Sequence, residues 1–304
     1  MTGWQLFLQQ VANGLTLGAI YALIALGYTM VYGVIQLINF AHGEVFMVGA
    51  YLGLTALMLL GTASAGWWPL GLLVLCVGGA AVGCGLLGFG IERAAYRPIR
   101  KAPRLCALIT AIGISFFLQN AVMLIYGATD LRFPPVIPVV RWDVGGVTVT
   151  LLQVVIWVTS GALMVGLQWL VMGSRLGQAM RATSQDPKAC WLLGIPVDRI
   201  IATTFVLGSA LAAVGGVLFG LSYNTINFHD GYLAGLKAFT AAVLGGIGNI
   251  PGAMLGGVLL GVLEGLGAGY LSAQWKNVFA FLVLVGLLLF RPTGLLGERV
   301  AERA

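Results

Sequence analysis

The sequence predicts an all-α membrane protein, a polytopic helical bundle of about 8 spans, up to 10 with short or re-entrant helices. Two observations carry that reading. Only 9% of the 304 residues are charged, 59% are hydrophobic, and mean hydropathy is +0.97. A soluble domain is about 25% charged, so the bilayer must serve as solvent for this chain. The charge-free runs 1–43, 45–91, 105–129, 144–174, 200–229, 238–263 and 277–290 are continuously apolar. A spanning helix needs roughly 20 such residues, whereas barrel strands would alternate in segments of about ten.

The first run, 1–43, fits one long span or two shorter ones. It lacks the basic start and small-residue cleavage site of a signal peptide and is read as a retained span. The run 45–91 suffices for two crossings. Basic residues cluster at Arg93, Arg97, Arg100, Lys101 and Arg104, at Arg175, Arg181, Lys188 and Arg199, and at Arg291, Arg299 and Arg303. The positive-inside rule makes all three clusters cytoplasmic, and the net charge of +6 is an orientation signal with no nucleic acid implied. Loop 130–143, with balanced charge and Pro134, Pro135 and Pro138, is then extracytoplasmic. Parity requires an odd number of crossings in 232–290, which the break Gly245-Gly246-Ile247-Gly248-Asn249-Ile250-Pro251-Gly252 would allow. Broken backbone is tolerated at membrane depth where it lines a cavity, so this break points to a pore-lining region. The same parity puts Glu44 near the cytoplasmic side. Gly257, Gly261, Gly265 and Gly269, every fourth residue, form a close-packing stripe, for contacts within the chain or with a second one.

Residues 38–43, Ile-Asn-Phe-Ala-His-Gly, recur at 226–231 as Ile-Asn-Phe-His-Asp-Gly. With the predicted topology this suggests an inverted repeat, with halves about 8–129 and 200–290 within one transmembrane domain, 1–304. Polar groups inside apolar runs are costly and are functional candidates. Here they are Asn39, His42, Glu44, Asn227, His229, Asp230, Lys237 and Glu264. Glu44, Asp230 and Lys237 could equally snorkel at an interface, and Glu264 could pair with Lys237 or Lys276. Asn39 and Asn227 stand near expected helix starts, where they could cap the helix or help attract an anionic group.

The polar loop 174–199 holds Arg181, Asp186, Pro187, Lys188 and Gly194. Asp186-Pro187 is an N-cap and first-turn signal and Gly194 a stop, framing a short amphipathic helix suited to a docking partner. Cys76, Cys84, Cys106 and Cys190 form no C-x-x-C pair and are read as packing residues. The sequence has no G-x-x-x-x-G-K-[ST], and no nucleophile triad, zinc pattern or haem motif was found. The chain is therefore expected to be no enzyme and to carry no cofactor or metal, and ATP-driven transport would need another chain.

The stretches Leu26-Gly27-Tyr28-Thr29-Met30-Val31-Tyr32-Gly33, Ile38 to Glu44, Ile91 to Pro98, Arg181 to Ile195 and Lys237 to Gly248 resemble the branched-chain amino-acid ABC permeases of the LivH type. The likeness runs from about residue 8 to 297. It implies a bacterial inner-membrane importer of branched-chain amino acids. The implied partners are a second permease of the LivM type, two cytoplasmic ATPase subunits and a periplasmic substrate-binding protein. Loop 181–195 matches the family's ATPase-coupling segment, while loop 130–143 diverges. Relatives that carry other amino acids, amides or urea leave the substrate open. An ion-coupled secondary transporter is the rival, and a membrane-embedded enzyme is disfavoured.

Overall fold

The computed structural model describes residues 2–61, 69–100, 102–291 and 293–297. Lys101, Arg299 and Arg303 of the basic clusters lie outside the described residues. The helices are α1 (Gly3–Ile35), α2 (His42–Gly61), α3 (Pro69–Ile91), a π turn (Glu92–Tyr96), α4 (Arg97–Ile99), α5 (Arg104–Tyr126), α6 (Leu151–Gly173), α7 (Arg175–Gln185), α8 (Pro187–Leu192), α9 (Val197–Tyr223), α10 (Asp230–Gly245), α11 (Ile250–Tyr270) and α12 (Lys276–Phe290). Among the described residues, four short strands lie toward the ends of the bundle: β1 (Leu131–Arg132) pairs antiparallel with β4 (Thr225–Ile226), and β2 (Arg141–Val144) with β3 (Val147–Thr150).

Among the described residues, seven helices are long and apolar enough to cross a membrane. The apolar α12, 15 residues, falls short of that length. The polytopic bundle is therefore present, with α10 and α12 as its short pieces. Segment 1–43 is not two helices: α1 continues for 33 residues, begun by a Thr2–Gln5 capping box.

α1 is the centre of the bundle and packs on α11, α9, α10 and α6. It runs antiparallel to α11, with Gly14 at Val262, Gly18 at Val258 and Ala22 at Gly257. Gly257, Gly261 and Gly265 of the sequence stripe thus face α1, and a Cβ on Gly261 would collide with the Gly18 backbone. The stripe is an internal packing seam.

Helices α1 and α9 end alike. Among the described residues, Gln36 (φ 53°) and Asn224 (φ 58°) are the positive-φ residues other than glycine, and each caps its helix in the left-handed region. Three residues further on, Asn39 and Asn227 each accept a hydrogen bond from the backbone N–H two positions ahead. Ala41 donates to Asn39 Oδ1 at 3.1 Å and His229 to Asn227 Oδ1 at 2.8 Å. Such Asx turns hold a chain reversal without regular secondary structure. These elbows, 36–41 and 224–229, then launch α2 and α10. Exchanging α1 with α9, α2 with α10 and α3 with α11 turns each main packing pair into another: α1–α11 into α9–α3, α2–α9 into α10–α1, α2–α3 into α10–α11.

Two expectations shift. Glu44 does not sit at the basic end of the bundle. Ser115, near the midpoint of α5, donates to its Oε1 at 3.2 Å, so the first elbow has climbed back to mid-depth before α2 begins. The glycine-rich break is not broken backbone at depth either. It is a turn between α10 and α11, with Gly246 at φ 104° and Gly248 at φ 95°. Leu295 N–H donates to Leu244 O at 2.8 Å and Leu296 N–H to Gly245 O at 3.0 Å, so the segment after Arg291 satisfies the carbonyls at the end of α10. A helix end needs such partners. The turn therefore lies with the basic C-terminal segment, and the irregular backbone inside the bundle is at the elbows.

Candidate functional site

The polar candidates divide into three groups. In the first elbow, Asn39, His42 and Glu44 are all buried. Asn39 Oδ1 accepts from Ala41 N–H and, at 3.0 Å, from the Tyr96 hydroxyl. The His42 ring packs edge-on against Tyr28 at 4.9 Å, beside Gly27. Glu44 is 1% exposed; Ser115 occupies Oε1, while Oε2 has no hydrogen-bond partner among the described residues and faces Gly231. The first turns of α2 and α10 cross here so closely that a Cβ on Gly43 or Gly231 would strike the facing helix.

The second elbow is more open. Asp230 Oδ2 accepts from Asn227 N–H at 2.7 Å, and Asn227 Nδ2 donates to Asp130 in the loop before β1. His229 Nδ1 is 2.7 Å from Gln119 Nε2 of α5, and the His229 ring is exposed. Asn39 and Asn227 thus hold matching positions, yet the two trios do not meet: the first is enclosed and the second opens away from the basic end.

Lys237 and Glu264 form a separate buried pair. Lys237 Nζ donates to Glu264 Oε1 at 2.7 Å and to the Tyr21 hydroxyl at 3.3 Å, and that hydroxyl donates to Glu264 Oε2 at 3.0 Å. Every polar end of the triad is used, and it ties α1, α10 and α11 together. Lys276 is not the partner of Glu264.

On the basic face, Asp186 caps α8 by accepting from Lys188 N–H at 2.9 Å and Ala189 N–H at 3.0 Å, with Pro187 in the first turn. Gly194 ends the motif at φ 79°. Arg181 points elsewhere: its guanidinium donates to Val171 O and so fastens α7 to the end of α6. A groove of about 1150 Å³ opens beside α8, lined by Phe89, Arg93, Lys188, Trp191, Asp198 and Arg199 among others. Trp191, Leu192 and Leu193 stand out from it, each more than 70% exposed. Isolated exposed apolar residues are ordinary, but a contiguous patch rimmed by charge marks an interaction surface.

Sequence reasoning did not single out Tyr21, Tyr96, Ser115 or Asp198 as site residues. Their partners lie 57 to 243 positions away along the chain, so local pattern gave no signal. For Tyr96, its place in the Ile91 to Pro98 motif was the one available pointer. Among the described residues, His, Cys, Asp and Glu gather nowhere in threes as metal ligands, and the four cysteines are free.

A bundle of apolar spans with enclosed polar elbows, irregular backbone at depth and a docking-type groove at one face defines a multi-pass membrane transport protein. The family model described as branched-chain amino acid transport system / permease component matches residues 10–288, and the chain belongs to that family. It is 50% identical to the high-affinity branched-chain amino acid transport system permease protein LivH of Escherichia coli strain K12, over 98% of this chain and 97% of the relative. It is likewise 50% identical to BraD of Pseudomonas aeruginosa, over 98% of both chains. A probable LivH of Methanocaldococcus jannaschii is 29% identical over 90% of this chain and 88% of its own. No solved structure matches.

Proposed function

We propose that this chain is the membrane-spanning permease subunit of an ABC importer in the bacterial inner membrane, passing branched-chain amino acids inward on energy from two separate ATPase subunits. The partnership would also include a second, LivM-type permease and a periplasmic binding protein. The 50% identity to LivH and BraD across nearly the full length is the observation that carries the substrate reading. The capped α8 beside a broad basic groove supports the ATPase contact, with Asp186, Pro187, Lys188 and Gly194 shaping the docking helix and Arg181 anchoring α7 behind it.

The substrate path would run over the α2–α10 crossing and not through it. Backbones touch at Gly43 and Gly231, which leaves no room for an amino-acid side chain. The second permease would then supply the other wall. Asn227, His229 and Asp230 would line the outer part of this route, and Asn39, His42 and Glu44, enclosed in the bundle, would shape its inner part from behind the crossing. The two halves, about 8–129 and 200–290, would act as inverted counterparts hinged at their Asn-pinned elbows, which agrees with the exchange of packing partners and with transporter architecture in general.

The test is uptake into proteoliposomes holding all subunits, with leucine, isoleucine and valine as labelled substrates and amides and urea as competitors. ATP-dependent accumulation of the three amino acids is expected. Uptake that persists without the ATPases and collapses with an uncoupler would point to ion-coupled transport and overturn this reading.

A further inference from the structure

Two sets of polar contacts, joined through the backbone of one π turn, lead from the basic groove to the first elbow. It starts at Asp198 in the first turn of α9, whose carboxylate takes the guanidinium of Arg97 and, at 2.6 Å, Arg100 Nη1. Arg100 Nη2 continues to Glu92, which is buried. Glu92 opens the π turn Glu92–Tyr96, closed by the Arg97 N–H donating to Glu92 O. A π turn inserts one extra residue and swings the side chains that follow; such turns are frequent at functional sites. Here it leaves Arg97 and Arg100 at Asp198 and turns Tyr96 inward, where its ring lies 5.1 Å from Phe205 and its hydroxyl donates to Asn39 Oδ1 at 3.0 Å. Asn39 is the pin of the elbow that launches α2. The line also borders open space: a cavity of about 380 Å³ is lined by Gln36, Leu37, Tyr96, Arg100, Pro187 and Phe205 among others. It reaches from the start of α8 to the elbow and gives the Tyr96 segment room to shift.

We propose that the Tyr96 hydroxyl is a positioning contact for transport: through Asn39 it transmits movement of the α8–α9 corner and its Arg100 network to the elbow of α2. This rests on the reading of the chain as an ATP-driven permease. A fork-shaped guanidinium suits the junction because it bridges two carboxylates at once, which a lysine ammonium does less well. Removing the Tyr96 hydroxyl does not orphan Asn39 Oδ1, since Ala41 N–H still donates to it.

The experiment uses the full complex in proteoliposomes and reads amino acid moved per ATP hydrolysed, alongside ATPase-subunit binding and thermal stability. Tyr96→Phe is expected to lower that ratio about five-fold, the equilibrium equivalent of one neutral hydrogen bond, while ATP hydrolysis and subunit binding stay at wild-type values and thermal stability falls by no more than that one bond. If Tyr96→Phe complexes fail to assemble, Arg100→Lys carries the same test from the other end of the line, with the same expected fall. An unchanged ratio, or uptake and hydrolysis falling in equal proportion, overturns the proposal. If the wild-type complex shows no ATP-driven uptake at all, the importer reading fails first and takes this inference with it.

Discussion

Lys237 Nζ stands 2.7 Å from Glu264 Oε1 within the bundle, with the lysine side chain 11% and the glutamate 1% exposed. Tyr21 completes both partners. Breaking a buried pair from one side strands a charge, at about 3 to 5 kcal/mol, whereas exchanging both partners for neutral groups of similar size can cost little. Lys237→Met alone and Glu264→Gln alone should therefore each lower the unfolding temperature strongly, and the double variant should recover most of the loss. A double-mutant cycle by thermal unfolding in detergent checks this; additive losses would deny the pair its structural role.

The α1–α11 seam predicts a sharp contrast between two glycines. Gly261→Val forces a branched side chain into the Gly18 backbone, and the helices must separate. Overpacking typically costs about 1 to 3 kcal/mol, and here it is opposed by backbone that cannot rotate away. Folded yield, by size-exclusion chromatography, should drop severely. Gly166→Ala on α6, with nothing within 4 Å of its added Cβ, should be neutral.

Asp186→Ala removes the acceptor for two N–H groups at the start of α8. An N-cap of this kind contributes about 1 kcal/mol. If α8 docks the ATPase as an ordered helix, binding of that subunit should weaken about five-fold, and Asp186→Ser should restore most of it. Titration of the purified ATPase subunit against the permease in detergent reads the change directly.

Glu44 offers a separation of stability from function. Its Oε2 has no partner among the described residues, so the carboxylate is only half satisfied in the bundle. Glu44→Gln keeps an oxygen for Ser115 and abolishes the buried charge. Unfolding temperature should hold or rise, by the equivalent of about 1 kcal/mol, while uptake falls if this carboxylate faces the route. Lost stability with unchanged uptake would remove Glu44 from the path.

The sequence made the spans, the basic face, the α8 cap and the two Asn motifs legible, because each is written in neighbouring residues. Parity counting misplaced Glu44. It assumed that every turn between spans reaches a membrane surface, whereas the elbow after Gln36 turns back inside the bundle. The glycine break was correctly found but wrongly placed at depth; the residues that cap it, Leu295 and Leu296, come from a distant part of the chain. Asn39 and Asn227 were read as near helix starts, but what each one holds depends on Tyr96 and Asp130, which spacing could not supply.

The central position of α1 has a consequence for how the chain is made. It is the most enclosed span, with 83% of its apolar window covered, yet two of its main neighbours, α9 and α11, begin only at Val197 and Ile250. Domains emerge from the ribosome N-terminus first. Helix α1, made before both, must therefore wait in lipid, its small-residue face uncovered, until α9 and α11 have been inserted.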